Sequence, residues 1–394
     1  MTNQYDILIS GGGLVGGSLA LAIQHSGLKI GLIELQTAEQ KKHSPAGERV
    51  LAISQGSKQL LEQSGLWQTV TTASEPIKTI QVSDRGYLGK TRLSAKREGV
   101  DALGYVLEAR QLDLALLQQL EQATVDVIAP AKMTHLDNTS PASVAVTIEH
   151  KDGTQEIKQT RLLVAADGGN SSIRQQLGIH TRQVDYDQTA LITRVNAQIP
   201  VDSIAYERFT ESGPLAFLPM GRSNYSVVWT LQPRQAQTMM ELSEQDFIQR
   251  LQQAFGYRLG RITLTSARHV FPLQLLHSKE MTANRVALIG NAAHQLHPVA
   301  GQGFNLGLRD AACLANLIRS DSETITDPGR AEILEEFAQM RNTDHQRVIN
   351  FTNSLIWLFS SDWSLLGHAR SLGLMTLDRI PWLKHRLAKA AMGM

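Results

Sequence analysis

The run GGGLVG at positions 11–16 has the spacing with which a chain grips a dinucleotide pyrophosphate. Gly11 permits a sharp exit from a strand, Gly13 lets the backbone approach the phosphates, and Gly16 lets the following helix pack close to that strand. The helix start presents unpaired N–H groups and a partial positive charge to the anion. Glu34, at the end of a second strand, is spaced to accept both hydroxyls of an adenosine ribose. A lone GxGxxG is weak; strand, helix, second strand and terminal acid together predict a dinucleotide site.

Which dinucleotide is decided near the other end, in RVALIGNAAHQLHPVAGQGFNLGLRD at 285–310. A strand from Arg285 to Ile289 runs into Gly290-Asn291, where the Asn side chain can hydrogen-bond a ribityl hydroxyl. The loop from Pro298 through Gly301 to Gly303 opens a helix at about Phe304, with Asn305 in its first turn. Nicotinamide dehydrogenases need no second glycine cradle, whereas a flavin does, so the expected cofactor is FAD. Backbone N–H groups at that helix start would stabilise the anionic reduced ring. A third segment, LLVAADGGNSSIRQQLG at 162–178, places Asp167-Gly168 between a strand and a helix beginning near Ser171. An isolated Asp-Gly is usually a turn former or helix cap.

The elements that must position these residues are legible as patterns. Tyr5 to Ser10 reads as a buried strand, GGGLVGG as a tight turn, Ser18 to Ser26 as a helix and Lys29 to Glu34 as a parallel strand. Right-handed crossover makes the two strands neighbours. Helical patterns follow at Ser57 to Gly65 and Gln111 to Ala123. Alternating, turn-rich stretches at 76–100 and 183–275, such as Thr189 to Ile199, Ala205 to Thr210 and Tyr225 to Leu231, predict antiparallel strands. The expected fold is α/β: a discontinuous FAD-binding Rossmann-like domain over 1–75, 101–182 and 276–345, an inserted, mostly antiparallel β substrate domain over 76–100 and 183–275, and a helical region over 346–394.

Composition narrows the partners. Lys and Arg number 38 against 37 Asp and Glu, which leaves no surplus for a phosphate backbone, so no nucleic-acid partner is expected. The single cysteine, Cys313, reads as a small buried hydrophobe and fits a reducing compartment. No basic leader and no run of ~20 apolar residues occurs, so a cytoplasmic protein is expected.

The three motifs, in this order, resemble those of the class A flavoprotein aromatic hydroxylases over almost the whole chain. On that resemblance the dinucleotide fingerprint falls on Gly11, Gly13, Gly16 and Glu34. The Asp-Gly motif, which in the family serves both FAD and a transient NAD(P)H, falls on Asp167, Gly168, Ser172 and Arg174. The third motif, normally Gly-Asp, falls on Gly290 and Asn291, a departure that keeps hydrogen bonding but loses the charge. Arg49, in ERVLAIS, and Arg110 match positions that approach the FAD phosphates. HPVAGQGFNLGLRD, YERFTESGPLAFLPMG and GLMTLD are similar to the ubiquinone-biosynthesis branch, and within it to hydroxylases of 2-polyprenyl-6-methoxyphenols.

The resemblance implies that NAD(P)H reduces the flavin and O2 adds to form a C4a-hydroperoxide. Its distal oxygen then passes to a polyprenylated methoxyphenol, para to the hydroxyl. Sister enzymes acting at another ring position, an oxygen-independent flavoprotein reductase or dehydrogenase, and a non-catalytic flavin-binding assembly subunit are the rival readings. Water must be kept out, or the activated oxygen is lost as peroxide. No residue declares itself as catalytic acid or base. His294 and His297, at i and i+3, lack the Cys or carboxylate partners a metal would want, so no metal is expected. Near the C-terminus Trp357, Phe359, Trp363 and Trp382 precede Lys384, His385, Arg386 and Lys389. Packing against the body is the plainer account; an apolar face for an inner-membrane surface or a pathway partner is the sharper one.

Overall fold

The computed structural model describes residues 4–87, 89–296, 301–320, 327–359, 373, 376 and 378–393. Strand Gln4–Ser10 carries Ile7, Leu8 and Ile9, all fully inaccessible, which is what a strand covered on both faces requires. Its parallel neighbours are Ile30–Ile33 on one side and Gln155–Ala165 on the other. Asp126–Ile128 extends the sheet beyond the first and Val286–Leu288 beyond the second, both parallel. The first, second and last of the glycine motifs thus all leave the C-terminal ends of adjacent parallel strands, where open α/β sheets bind ligands.

The first helix begins at Leu14 rather than Ser18, so Gly16 and Gly17 lie inside it instead of in the expected turn. The physical reason is close approach. A Cβ on Gly16 would sit 2.0 Å from the Gly11 carbonyl oxygen, and one on Gly17 2.7 Å from the Leu116 side chain. Each glycine gives up ~1 kcal/mol of helix propensity, and the packing against strand end and helix Ala109–Gln122 requires it.

A second sheet runs in the order 294–295, 269–278, 181–197, 224–231, 213–219, 204–210, 79–84, 90–94. All pairings in that path are antiparallel except that of Ile204–Thr210 with Thr79–Asp84. One face, with Val227, Leu215, Phe217 and Tyr206, is buried beneath helices Pro233–Glu241 and Glu244–Phe255. The sequence reading had no helices in this region. Phe247, Leu251, Ala254 and Phe255 at helical spacing behind the Ser243 N-cap are the signal that identifies the longer one. The opposite face, with Ile192, Val228, Ala216, Leu218, Glu207 and Val82, is only half-buried.

That half-buried face looks toward a small sheet of Val50–Ser54, Gly104–Glu108 and Glu75–Ile77. Ile77, Val106 and Ala205 share an apolar cluster with Leu218, and Arg194 donates to the Glu108 carboxylate at 2.7 Å. The two large sheets are also joined directly, because His294–Gln295, just past Gly290-Asn291, pairs with Leu276 and His277.

The C-terminal helix Pro381–Met392 packs through Ala388 and Met392 on Leu93, Ala95 and Leu103. Lys384 binds Asp378, whose carboxylate also accepts from Thr91 and the Arg92 amide. Trp382 stands 59% exposed on its outer side. The side chains of Trp357, Phe359 and Trp363 lie outside the described residues.

Candidate functional site

The first motif is shaped by one close crossing. Gly11, at φ +107, lies with its would-be Cβ 2.3 Å from the Ala166 carbonyl oxygen, so the first strand passes against the residue preceding Asp167. Gly13 is the N-cap of helix Leu14–Ile23 and has no side chain with which to cap it, while a Cβ placed there meets nothing within 4 Å. Unpaired amides therefore face open space, the requirement for an anion site.

Around this opening the structure gathers charge. The Glu34 carboxylate binds Lys41 at 2.9 Å and accepts from the Gln36 amide at 2.8 Å, while Lys41 also donates to the Gly12 carbonyl. Asp113 lies among Lys41, Arg49 and Arg110; burial raises its carboxyl above the usual range and these cations oppose the rise. The Arg110 guanidinium is spent on the carbonyls of Lys42 and Ser44, so it holds the 42–48 turn in place. Lys41 was not identified from sequence, since nothing in a polar five-residue helix distinguishes it from a solvated lysine.

Asp167 does what an isolated Asp-Gly usually does, and more. One carboxylate oxygen caps helix Ser172–Gln176 through the Ser172 amide at 2.9 Å, whereas the other, Oδ1, is buried with no partner among the described residues. Gly168, at φ +89, is followed by Gly169, whose carbonyl accepts from Arg174 at 2.8 Å. The same guanidinium donates to the Ala292 carbonyl at 2.8 Å, which ties the Asp-Gly loop to the Gly290-Asn291 turn.

Gly290, at φ +59, packs on Val15 of the first helix, and Asn291 is exposed beside it. Gly301, at φ +62, sits against Ala52, and Gly303 opens onto Leu296. Asn305 is buried with its amide committed to the protein: it accepts from the Ser54 amide at 2.8 Å and donates to the carbonyls of Ala52 and Gly301. It positions the glycine loop. Pro298 and His297 lie outside the described residues.

Behind the turn is a hub that sequence reading missed. Asp310, wholly buried, accepts from the Gly290 amide at 3.0 Å, His294 Nε2 at 2.7 Å, His345 Nε2 at 2.8 Å and Arg341 Nε at 2.7 Å. His294, Asp310 and His345 lie close enough to chelate a metal ion, yet those four donors already use the carboxylate's lone pairs and Arg341 balances its charge. Burial lowers the His345 ring to about 4, so it is neutral; burial would raise the Asp310 carboxyl, but the His294 and His345 rings that face it and hydrogen-bond to it hold it well below the usual range. Only the juxtaposition of residues distant in sequence reveals the hub.

The donor set fits a flavin dinucleotide: an uncapped helix start over open space, an orphaned buried carboxylate oxygen in the Asp-Gly loop, and a second glycine turn locked beside it. A family model described as an FAD binding domain matches residues 4–352. Ubiquinone hydroxylase UbiL of Rhodospirillum rubrum is 35% identical over 98% of this chain and 89% of that protein. The 3-demethoxyubiquinol 3-hydroxylase of Escherichia coli is 30% identical over the full length of both. Among solved structures, p-nitrophenol 4-monooxygenase PnpA of Pseudomonas putida superposes with a TM-score of 0.81 over 100% of this chain and 99% of that one, at 15% identity.

Proposed function

Because the chain belongs to the FAD-dependent monooxygenases built on this FAD binding domain, we propose that it hydroxylates a polyprenylated methoxyphenol in ubiquinone biosynthesis, para to the phenol hydroxyl, with NAD(P)H as reductant. The observation that carries this reading is the half-buried sheet face of Ile192, Val228, Ala216 and Leu218, turned toward the small sheet whose strand Val50–Ser54 is tied to Gly301 through Asn305. An apolar wall with few polar groups suits a prenylated ring. The similarity to a ubiquinone hydroxylase and a demethoxyubiquinol hydroxylase supports the pathway; the ring position rests on the motif resemblance.

Bound FAD supplies the electron storage and oxygen activation that no side chain provides. The amides of helix Leu14–Ile23 and Gly13 hold the pyrophosphate, with Lys41, Arg49 and Arg110 setting the positive potential around it. Glu34 takes the adenosine ribose, either sharing its carboxylate with Lys41 or exchanging Lys41 for the hydroxyls. Asp167 Oδ1 would accept a hydroxyl of the cofactor, Asn291 would hydrogen-bond the ribityl chain, and the glycines Gly301 and Gly303 would leave room for the ring. Arg174, Asp310 and Asn305 keep these loops in register.

A long prenyl tail also gives a reason for Trp382, Arg386 and Lys389, which are exposed at helical spacing on one side of the C-terminal helix. Aromatic and basic residues on one helix face suit the surface of an anionic membrane, so peripheral attachment to the inner membrane is expected. The test is anaerobic reduction by NAD(P)H, then oxygen, with short-tailed 2-prenyl-6-methoxyphenol and its demethoxy and quinol relatives as separate substrates. A para-quinol from the first alone supports the ring position; a product from another substrate alone reassigns it, and peroxide with no organic product from any overturns the reading.

A further inference from the structure

Strand Ile204–Thr210 splits its side chains between two environments. Arg208 donates to the Ala254 carbonyl at 3.0 Å, which directs it and Tyr206 toward the covering helices. Glu207 therefore projects from the other face, in line with Val82 on one neighbouring strand and Ala216 on the next. Beyond Ala216 the same row continues through Val228 to Ile192. A carboxylate thus stands in the middle of an apolar wall.

Glu207 is half-buried in this row, with apolar side chains on the strands to either side. Among the described residues it has no hydrogen-bond or charge partner, and burial alone lifts its pKa to about 7. An unpaired carboxylate at such a place costs stability, so it is more often kept for function than for packing.

The other charged groups on this face are engaged or peripheral. Arg194 is paired with Glu108 at 2.7 Å, and Glu75 accepts from Ser203 at 3.0 Å. Asp378, reached through Thr91, is bound to Lys384. Asp84 lies two residues along from Val82 and His269 at the far exposed end of the row; neither contributes to the Glu207 shift.

We propose that Glu207 is the group that receives the substrate's phenol hydroxyl, holding it by a hydrogen bond and taking its proton during hydroxylation. The assignment rests on the hydroxylase reading above. The phenol O–H bond breaks, its electron pair stays on oxygen as phenolate and raises electron density at the para carbon, and the proton moves to a Glu207 oxygen. When the ring regains aromaticity, Glu207 returns the proton to the same oxygen and the hydrogen of the hydroxylated carbon leaves to water as a proton. A carboxyl near 7 is a better match for a phenol near ~10 than an exposed one near ~4.3 would be.

The test uses FAD-loaded enzyme and two probes. The first is 2-methoxy-4-nitrophenol, whose para carbon is blocked and whose phenolate is yellow. Near pH 7 wild type should bind it with partial phenolate colour; Glu207→Gln should bind it colourless. The second is short-tailed 2-prenyl-6-methoxyphenol, for which Glu207→Gln should lower kcat ~100-fold with little change in KM and remove the acidic limb of its pH profile. Glu207→Asp, which keeps the charge, should retain the colour and part of the rate, and decides the matter if the Gln variant loses FAD. Equal colour, rate and pH profile in wild type and Glu207→Gln would sink the assignment alone. A wild type that hydroxylates no phenol would remove the hydroxylase reading and this assignment together.

Discussion

Replacing Asp310 with asparagine should dismantle the third glycine motif without touching it. The carboxylate accepts four hydrogen bonds, from Gly290, His294, Arg341 and His345, and is wholly buried. The amide is nearly the same size, but its NH2 end would face donors and the charge opposing Arg341 would be gone. Arg341 is itself buried and would keep only Asp344, at 2.7 Å. Breaking a buried pair by removing one partner costs about 3–5 kcal/mol, and in a chain of this size that lowers the thermal midpoint by roughly 4–6 °C. Because Gly290 loses its anchor, FAD should dissociate more readily. Thermal unfolding with and without added FAD, and the flavin-to-protein ratio after gel filtration, measure both effects. An Asp310→Asn protein within about 1 kcal/mol of wild type that keeps its full complement of flavin would refute the hub's role.

The neutral His345 carries a pH signature. Its folded pKa, about 4, lies below the ordinary 6.5, so between those values the unfolded chain binds more protons. Stability from this group is therefore full above pH ~6.5, falls as pH drops toward ~4, and totals on the order of 3 kcal/mol; urea titrations of wild type and His345→Gln should show that slope flattened in the variant. Gly16→Ala places a methyl 2.0 Å from the Gly11 carbonyl oxygen, so the protein should be recovered without FAD or in inclusion bodies, as absorbance of the purified flavin band reveals. Trp382→Ala, at an exposed position, should leave activity on short-tailed substrate intact while reducing co-sedimentation with anionic vesicles; unchanged sedimentation would argue against the C-terminal helix as the attachment surface.

Much of this architecture is readable along the chain because local rules coincide there. The Ile7-Leu8-Ile9 strand, the glycines after it and Glu34 lie within one βαβ unit, where spacing along the sequence is nearly spacing in space. Glycines inside a helix were misread as a turn at Gly16 and Gly17, since propensity cannot register a carbonyl that the fold brings within contact. Glu207, Asp310 and His345 were illegible for a related reason. A glutamate in a strand that alternates between polar and apolar residues looks solvated until both of its neighbouring strands are known. A helical Asp or His becomes a hub only when helices 302–320 and 331–359 pack against the Gly290 turn. Asn305 was recognised as important at its position, but its contacts show it bracing Val50–Ser54 against the glycine loop.

The short pairing of His294 and Gln295 with His277 and Leu276 has a consequence for engineering and descent. The stretch that follows Gly290-Asn291 is at once part of a nucleotide loop and the edge of the sheet presenting Glu207. A recombinant that exchanged the sheet strands between Thr181–Ala197 and His269–Ser278 for others would leave this seam mismatched, because a one-residue slip turns every side chain over. New substrate preferences in this lineage are therefore more accessible through changes along the inner sheet face than through cassette exchange of the whole insert.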